Sequence, residues 1–257
     1  MANRKPVDTL GFGSELSTKQ PEETLLSKEG SQRYQAITDS VIYLAQIWRY
    51  DIMYSSGQLA RAMSRPAKVH MGAAKHVLRY SVGTTDFTIV YKKRGFNLTA
   101  FSDSNCGNSP DNGKSTSCYI MMMSRAPVSF KSGVQSLTAM STMAAELVAS
   151  ALAMNEAVFC SNMLTERGFG NEFEQVPLHN NNTVTLHVIG NRSFSSRSNH
   201  IALRFIYIHE LYKITTHHIV TKHLNKRRLQ LLQMITTLKL DRRHHWCFVF
   251  VCLFLCD

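Results

Sequence analysis

The stretch from Asn97 to Glu146 constrains the fold more than any other, because its apolar rhythm changes from that of a strand to that of a helix between two acids. Leu98, Ala100 and Ser102 alternate with Thr99, Phe101 and Asp103, the pattern of a half-buried strand that ends on an acid. The turn-rich Asn108-Ser-Pro-Asp-Asn-Gly-Lys follows. Two further strand-like runs come next, Ser115 to Met123 and Ala126 to Lys131, joined tightly through Ser124-Arg125. The spacing predicts a three-stranded antiparallel meander. A Ser/Thr-rich lead then opens a run of helix formers from Met143 to Glu166, which puts Glu146 on the first helical turn. A strand-end acid beside a helix-start acid can share a metal ion. Met121, Met122 and Met123 read as adaptable core filling.

A chain of 257 residues with 44% hydrophobic content can bury one good core with a smaller appendage, and is not a disordered protein. The net charge of +11 suits a polyanionic partner, and suits equally a solvated basic surface with no partner. Cys106, Cys118, Cys160, Cys247, Cys252 and Cys256 contain no Cys-x-x-Cys pair, so neither a zinc site nor a disulfide framework is expected. That usage fits a reducing compartment, cytoplasmic or nuclear. Met1 to Asp8 lacks an apolar h-region, so a secretory signal is not expected.

Taken in order, residues 1–32 are polar and aperiodic and read as a loose leader. Residues 33–94 form a helical segment. There Ile37, Val41, Leu44, Ala45 and Trp48, then Leu59 and Met63, then Ala73, Val77 and Tyr80 recur at helical spacing, with a break at Pro66. The opposite faces carry Arg61, Arg65, Lys68, Lys75, His76 and Arg79, and the basic strip continues at Lys92, Lys93 and Arg94. Such a strip can follow a nucleic-acid backbone through phosphate contacts; it can equally be a plain solvent face. In the helix after Met143, the residues Leu147, Ala151, Met154, Val158 and Met163 share a stripe. Asn155 is a candidate break, and Gly168 and Gly170 are the stop. Val176 to Asn181 reads as a short strand closing against the first, Asn182 to Ile189 as a brief helix, Ser193 to Ser198 as a turn, and Asn199 to Tyr212 as a helix. Residues 225–257 are basic and then apolar. The apolar run from Trp246 to Cys256 is far short of the roughly 20 residues a membrane helix needs, so no stable span is expected. It fits an interfacial piece, a docked strand or read-through of non-coding sequence.

The ordered blocks Phe101-Ser-Asp-Ser-Asn, Lys114-Ser-Thr-Ser-Cys-Tyr, Ala126-Pro-Val-Ser-Phe-Lys-Ser, Ala139-Met-Ser-Thr-Met-Ala-Ala-Glu, Pro177-Leu-His-Asn-Asn-Asn and Ser196-Arg-Ser-Asn-His-Ile resemble the ribonuclease H region of copia-type LTR retrotransposon Pol polyproteins. Upstream, Tyr43-Leu-Ala, Arg49-Tyr-Asp-Ile, Gln58 to Pro66 and His70 to Tyr80 are similar to the end of the reverse transcriptase that joins it. The resemblance runs roughly from residue 30 to 224. It implies an α/β (α+β) mixed sheet, ribonuclease H-like over residues 95–224. The meander is extended there by further parallel strands and flanked by helices. The resemblance also implies an origin inside a larger polyprotein.

The chemistry implied by the resemblance is cleavage of RNA in an RNA–DNA hybrid, with two Mg²⁺ or Mn²⁺ ions about 4 Å apart held by converging carboxylates. Asp103 would bridge both ions and Glu146 would hold one. A third acid belongs where Asn181 stands, and a fourth where His218 stands. Asn105 also replaces an acid, Cys106 a tryptophan, Ala144 an outer glutamate, Asn199 a basic residue and Ala202 an acid, and the last strand looks shortened to about Tyr212 to Thr216. The expectation is therefore a degenerate nuclease, weakly active or inactive, or else a module that grips nucleic acid without cutting, or a pseudogene product with no function. Arg61, Lys75, Arg79, Lys92, Lys93, Arg94 and Lys114 are its candidate nucleic-acid contacts. His179 and His200 read as structural hydrogen-bonders, and His217, His218 and His223 as solvated side chains.

Overall fold

The meander forms because alternating side chains meet a turn whose handedness fits the twist of the strands. The computed structural model of the protein describes residues 6–7, 9–10, 16–91, 97–169, 176–191 and 220–223. Strand β1 is Thr99–Asn105, β2 is Thr116–Met123 and β3 is Ala126–Val134. β1 pairs antiparallel with β2 from Thr99↔Met122 to Asn105↔Thr116, and β2 pairs antiparallel with β3. Ser124 and Arg125 both take left-handed φ, 52° and 67°, as a two-residue hairpin between twisted strands requires. A register shift at Met121/Met122 marks an irregularity in the β2–β3 ladder. Only Met121 of the three methionines is fully buried, so the run serves the core through one residue.

Beside β1 the sheet turns parallel. Strand β4, Pro177–Asn180, pairs with β1 at Ala100↔Leu178 and Phe101↔His179, and β5, Val220–His223, pairs parallel with β4. Pro177 starts its strand, where its missing N–H costs the ladder nothing. The order β3-β2-β1-β4-β5, with helices on the flanks, is the ribonuclease H-like mixed sheet that the resemblance implies. Among the described residues the last strand is Val220–His223; the strand expected at Tyr212 to Thr216 lies outside the described residues, as do the turn at Ser193 to Ser198, the helix from Asn199 and the tail.

Ahead of the sheet lie α1 (Lys28–Ile47), α2 (Met53–Arg61) and α3 (Lys68–Gly83); after β3 comes α4 (Thr142–Leu164), and after β4 comes α5 (Thr183–Asn191). The hydroxyl of Ser141 accepts from the Ala144 N–H at 3.1 Å and caps α4. That cap places Glu146 on the second turn, not the first. α4 passes through Asn155 unbroken, because the side chain there points to solvent and leaves the backbone ladder intact. It ends in a π turn, Thr165–Phe169, where Gly168 supplies φ +87°. Thr142–Phe169 is long and apolar enough to cross a membrane by length and composition, yet its apolar side is spent on the sheet. The small buried Ala149, Ala153 and Ala157 let the helix lie close, and Leu147 and Met154 pack with Leu98, Ala100, Met121 and Leu178. Met163, expected on this stripe, is 44% exposed; Cys160 and Leu164 continue it instead.

The three leading helices enclose a second core of Tyr34, Val41, Ile52, Leu59, Val77 and Tyr80. The Tyr34 hydroxyl donates to the Leu59 carbonyl at 2.7 Å, and Arg49 pairs with Asp51 at 2.8 Å while donating to Thr84. This segment touches the sheet through Tyr50 on Phe130 and through the Tyr91 hydroxyl, which donates to the Pro127 carbonyl at 2.8 Å.

The reading of residues 1–32 as a loose leader fails from residue 16 onward. Leu16 is buried, and Ser17 and Thr18 donate to the carboxylate of Asp111, from the β1–β2 loop, at 2.6 to 3.1 Å. His70 accepts from the Ala67 N–H through Nδ1, which leaves Nε2 to donate to the Ser17 carbonyl at 3.0 Å. Arg61 completes the junction with an ion pair to Asp111. Although burial opposes it, hydrogen bonds from Ser17, Thr18 and Arg61 hold the Asp111 carboxyl well below the usual carboxylate range. Asp111→Ala strips these donors of their acceptor, and should lower unfolding free energy by about 2 kcal/mol in urea titrations. Faster amide exchange at residues 17–19 should accompany the loss.

Candidate active site

Two elements decide where the acids meet. β1 carries Asp103 near its end but continues through Ser104 and Asn105, so the acid lies inside the strand rather than at its last residue. α4 crosses it closely enough for Glu146 to reach that strand's backbone: the Ser104 N–H donates to Glu146 Oε1 at 3.1 Å. The neighbouring Asp103 is near enough for the two acids singled out in the sequence to shift each other's proton affinity.

β4 closes the cluster from the other side. Asn180 Nδ2 lies 2.9 Å from Glu146 Oε2, 3.1 Å from Ser102 Oγ and 3.2 Å from Ser150 Oγ, while its Oδ1 accepts from the Asn182 N–H at 2.7 Å. Asn181 Nδ2 donates to Asp103 Oδ1 at 3.2 Å, so the residue standing for the third acid does sit against the first. Ser102, Ser150 and Asn180 were not among the site residues expected from sequence. A signal for Asn180 existed: alternation along β4 puts it on the same face as Leu178, which packs against α4, whereas His179 turns away to stack on Phe101 at 4.9 Å.

Burial and the neighbouring negative charge of Asp103 push Glu146 up to about 7, against the hydrogen bonds from Asn180 and Ser104. Burial also raises Asp103, although donors from Ser104, Glu146 and Asn181 oppose it. Both carboxyls of the pair thus hold a proton more tightly than ordinary carboxyls do. Cys118, opposite Asp103 in the ladder, is pushed up to about 12 by burial and by the two acids, so its thiol stays protonated and adds no ligand.

Among the described residues no group of three or more His, Cys, Asp or Glu side chains could hold a metal ion. The donor set of two carboxylates and two amides balances the charge of one hard divalent cation. It does not fit a pair of such ions, which would leave half of their charge uncovered. The fourth expected position, His218, lies outside the described residues.

The candidate nucleic-acid contacts fare unevenly. Arg61 is committed to Asp111 and Gln58, and Lys114 Nζ donates to the Ser136 carbonyl at 2.8 Å, fastening one loop to another. Lys75 and Arg79 are half-buried on α3, and Lys92, Lys93 and Arg94 lie outside the described residues.

No protein-family model matches the chain. It is 28% identical over 214 residues to the retrovirus-related Pol polyprotein from transposon TNT 1-94 of Nicotiana tabacum, covering 82% of this chain and 16% of that protein. It is 32% identical over 214 residues to the Pol polyprotein from transposon RE2 of Arabidopsis thaliana, covering 81% of this chain and 14% of that one. Its homologues are Pol polyproteins of copia-like retrotransposons. The chain spans less than a fifth of the length of these relatives. Among solved structures, LC11-RNase H1, isolated from compost, covers 54% of this chain and 91% of its own at 11% identity and a TM-score of 0.43. The same protein has been solved in complex with an RNA/DNA hybrid, with a TM-score of 0.40, 51% of this chain and 87% of that chain covered, and 11% identity. This Pol-related chain is a ribonuclease H-like module.

The raised Glu146 carboxyl sets a pH dependence. A carboxyl whose folded pKa lies above its unfolded value contributes stability that is complete below the unfolded value and disappears as pH rises through the folded one. In EDTA, melting temperature should therefore fall between about 4.5 and about 7. Glu146→Gln, which keeps the shape and removes the titration, should flatten that fall in thermal scans across the same window.

Proposed function

We propose that this module receives an RNA–DNA hybrid at the Asp103 and Glu146 end of its sheet and cleaves the RNA strand slowly or not at all. The observation that carries this reading is the amide of Asn181 donating to Asp103 where the resemblance calls for a third carboxylate. Asp103 and Glu146 would hold one Mg²⁺ or Mn²⁺, with Asn181 able to offer only a neutral oxygen after turning its amide over. A divalent cation bound there supplies Lewis-acid polarisation of a phosphoryl oxygen. The Ser104 N–H and Asn180 each donate to one oxygen of the Glu146 carboxylate and so hold it in one orientation. Cation binding has to displace the proton on Glu146, which makes it weaker below neutrality.

The relatives support the polyprotein setting and the hybrid-bound ribonuclease H1 supports the ligand class. The cysteine usage supports a place of action inside the cell, in cytoplasm or nucleus. Binding without cleavage is the second reading, favoured by the missing negative charge at Asn181.

Incubation of the purified chain with a labelled hybrid and Mn²⁺ decides between them. Asn181→Asp should raise cleavage by about 10- to 100-fold, the scale carried by residues that support a metal ligand. Asp103→Ala should abolish it in both backgrounds. Cleavage that persists in Asp103→Ala would remove this cluster from the chemistry, and undetectable cleavage in Asn181→Asp with hybrid still bound would leave the binding module.

A further inference from the structure

The β1–β2 loop carries Asp111 away from the carboxylate cluster to a second site. There a cavity of about 600 Å³ opens between the strap Thr18–Pro21 and the end of α2, lined among others by Lys19, Gln20, Arg61, Ser64 and Arg65. We propose that this cavity seats a backbone phosphate of a nucleic-acid strand, a contact separate from the Asp103 and Glu146 cluster. It rests on the reading of the chain as a nucleic-acid-binding module.

Three cations face this space, and the negative charge beside them is already used. Both oxygens of Asp111 accept from Ser17, Thr18 or Arg61, which leaves little of that carboxylate to repel an incoming anion. The other acid nearby, Glu22, meets Arg65 at 3.6 Å with side chains 92% and 61% exposed, an ion pair too solvated to hold the arginine away from a better anion. Arg61 is fixed by Gln58 and Asp111, and those two bonds use two of its five N–H donors. Its guanidinium is thus preorganised, with donors to spare. Lys19 is exposed, and no hydrogen bond or ion pair engages its ammonium among the described residues.

An arginine held in place, an exposed arginine, an ammonium and the Ser64 hydroxyl around an open concavity suit an oxyanion of phosphate size. The source favoured here is a nucleic-acid backbone, because the cavity is joined to the carboxylate cluster by one loop leaving the end of β1. The strap residues that build one wall belong to the stretch expected to be a loose leader, which is why the cavity has no signature in the sequence.

The test uses the full chain and a double variant, Lys19→Gln with Arg65→Gln, both at exposed positions, beside the control Lys131→Gln on β3. Affinity for a labelled RNA–DNA hybrid should fall about tenfold in the double variant, and the slope of log affinity against log salt should become shallower by about 2. The control should match the parent, and thermal unfolding should be unchanged in all three. Unchanged affinity and salt slope in the double variant overturn the proposal, even if the parent cleaves the hybrid. A parent that binds no hybrid overturns both this proposal and the reading it rests on. Hybrid binding that depends on Lys19 and Arg65 without any cleavage supports the cavity and counts only against catalysis. If inorganic phosphate binds alone with the same dependence while the hybrid does not, the ligand is a free anion and the backbone assignment is overturned.

Discussion

The close approach of α4 to β1 is the constraint on which the rest of this structure depends. It is permitted by small buried side chains on one side of α4, Ala149, Ala153 and Ala157, which let the backbones near one another while their methyl groups still exclude water. Had that face been filled with leucines, Glu146 would not reach the Ser104 N–H, and a buried backbone donor would have lost its acceptor. The same approach brings Ser150 to Ser102 and offers Asn180 three oxygen atoms at once. Packing therefore comes first and the polar cluster follows from it. The cluster in turn ties β1, β4 and α4 at the one end of the sheet where backbone pairing runs out.

Some of this was legible in the sequence, and the boundary has a physical cause. Alternation in β1, β2 and β3 and the turn at Ser124-Arg125 were readable because a half-buried sheet writes a period of two into the chain. The pairing of Asp103 with Glu146 came from ordered motif blocks, since neither acid differs by itself from a turn former or a helix-terminal charge. Asn180 was passed over in favour of its neighbour because the motif marks the residue that would touch a metal. The residue that orients Glu146 is visible only once β4 is laid beside β1. The Asp111 junction was not legible at all. It joins residues more than ninety positions apart through hydroxyl and amide hydrogens, and such contacts leave no local pattern.

If Asn181 stands where the resemblance calls for an acid, as proposed, the amide changes two quantities in opposite directions. Without a cation, a third carboxylate against Asp103 would add a charge to a pair that already raises the proton affinity of Glu146. The amide instead donates to Asp103, so the cation-free cluster is internally satisfied. With a cation, the same amide supplies no charge and must rotate to supply an oxygen. On the proposed reading, the amide stabilises the cation-free fold and would weaken a cation-bound one. The network around Asn180 fits this view: its donors complement carboxylates and hydroxyls, and it needs no ion to be complete.

The helical segment and the sheet have separate cores, yet among the described residues four polar or aromatic contacts fasten them: Arg61 to Asp111, Asn108 to Tyr54, Tyr50 on Phe130 and Tyr91 to the Pro127 carbonyl. Two of these land on the β1–β2 loop and two on β3, so the segment is held at both the loop end and the edge strand of the meander. Two supports on different elements resist rotation where one would act as a hinge. The position of the strap and its cations relative to Asp103 is consequently set by the fold rather than by a linker. A rigid duplex can satisfy two such sites only if their separation is fixed in this way, because a flexible connection would forfeit the gain from binding both at once. The junction at Asp111 therefore links what the helical segment can hold to where the carboxylate pair can act.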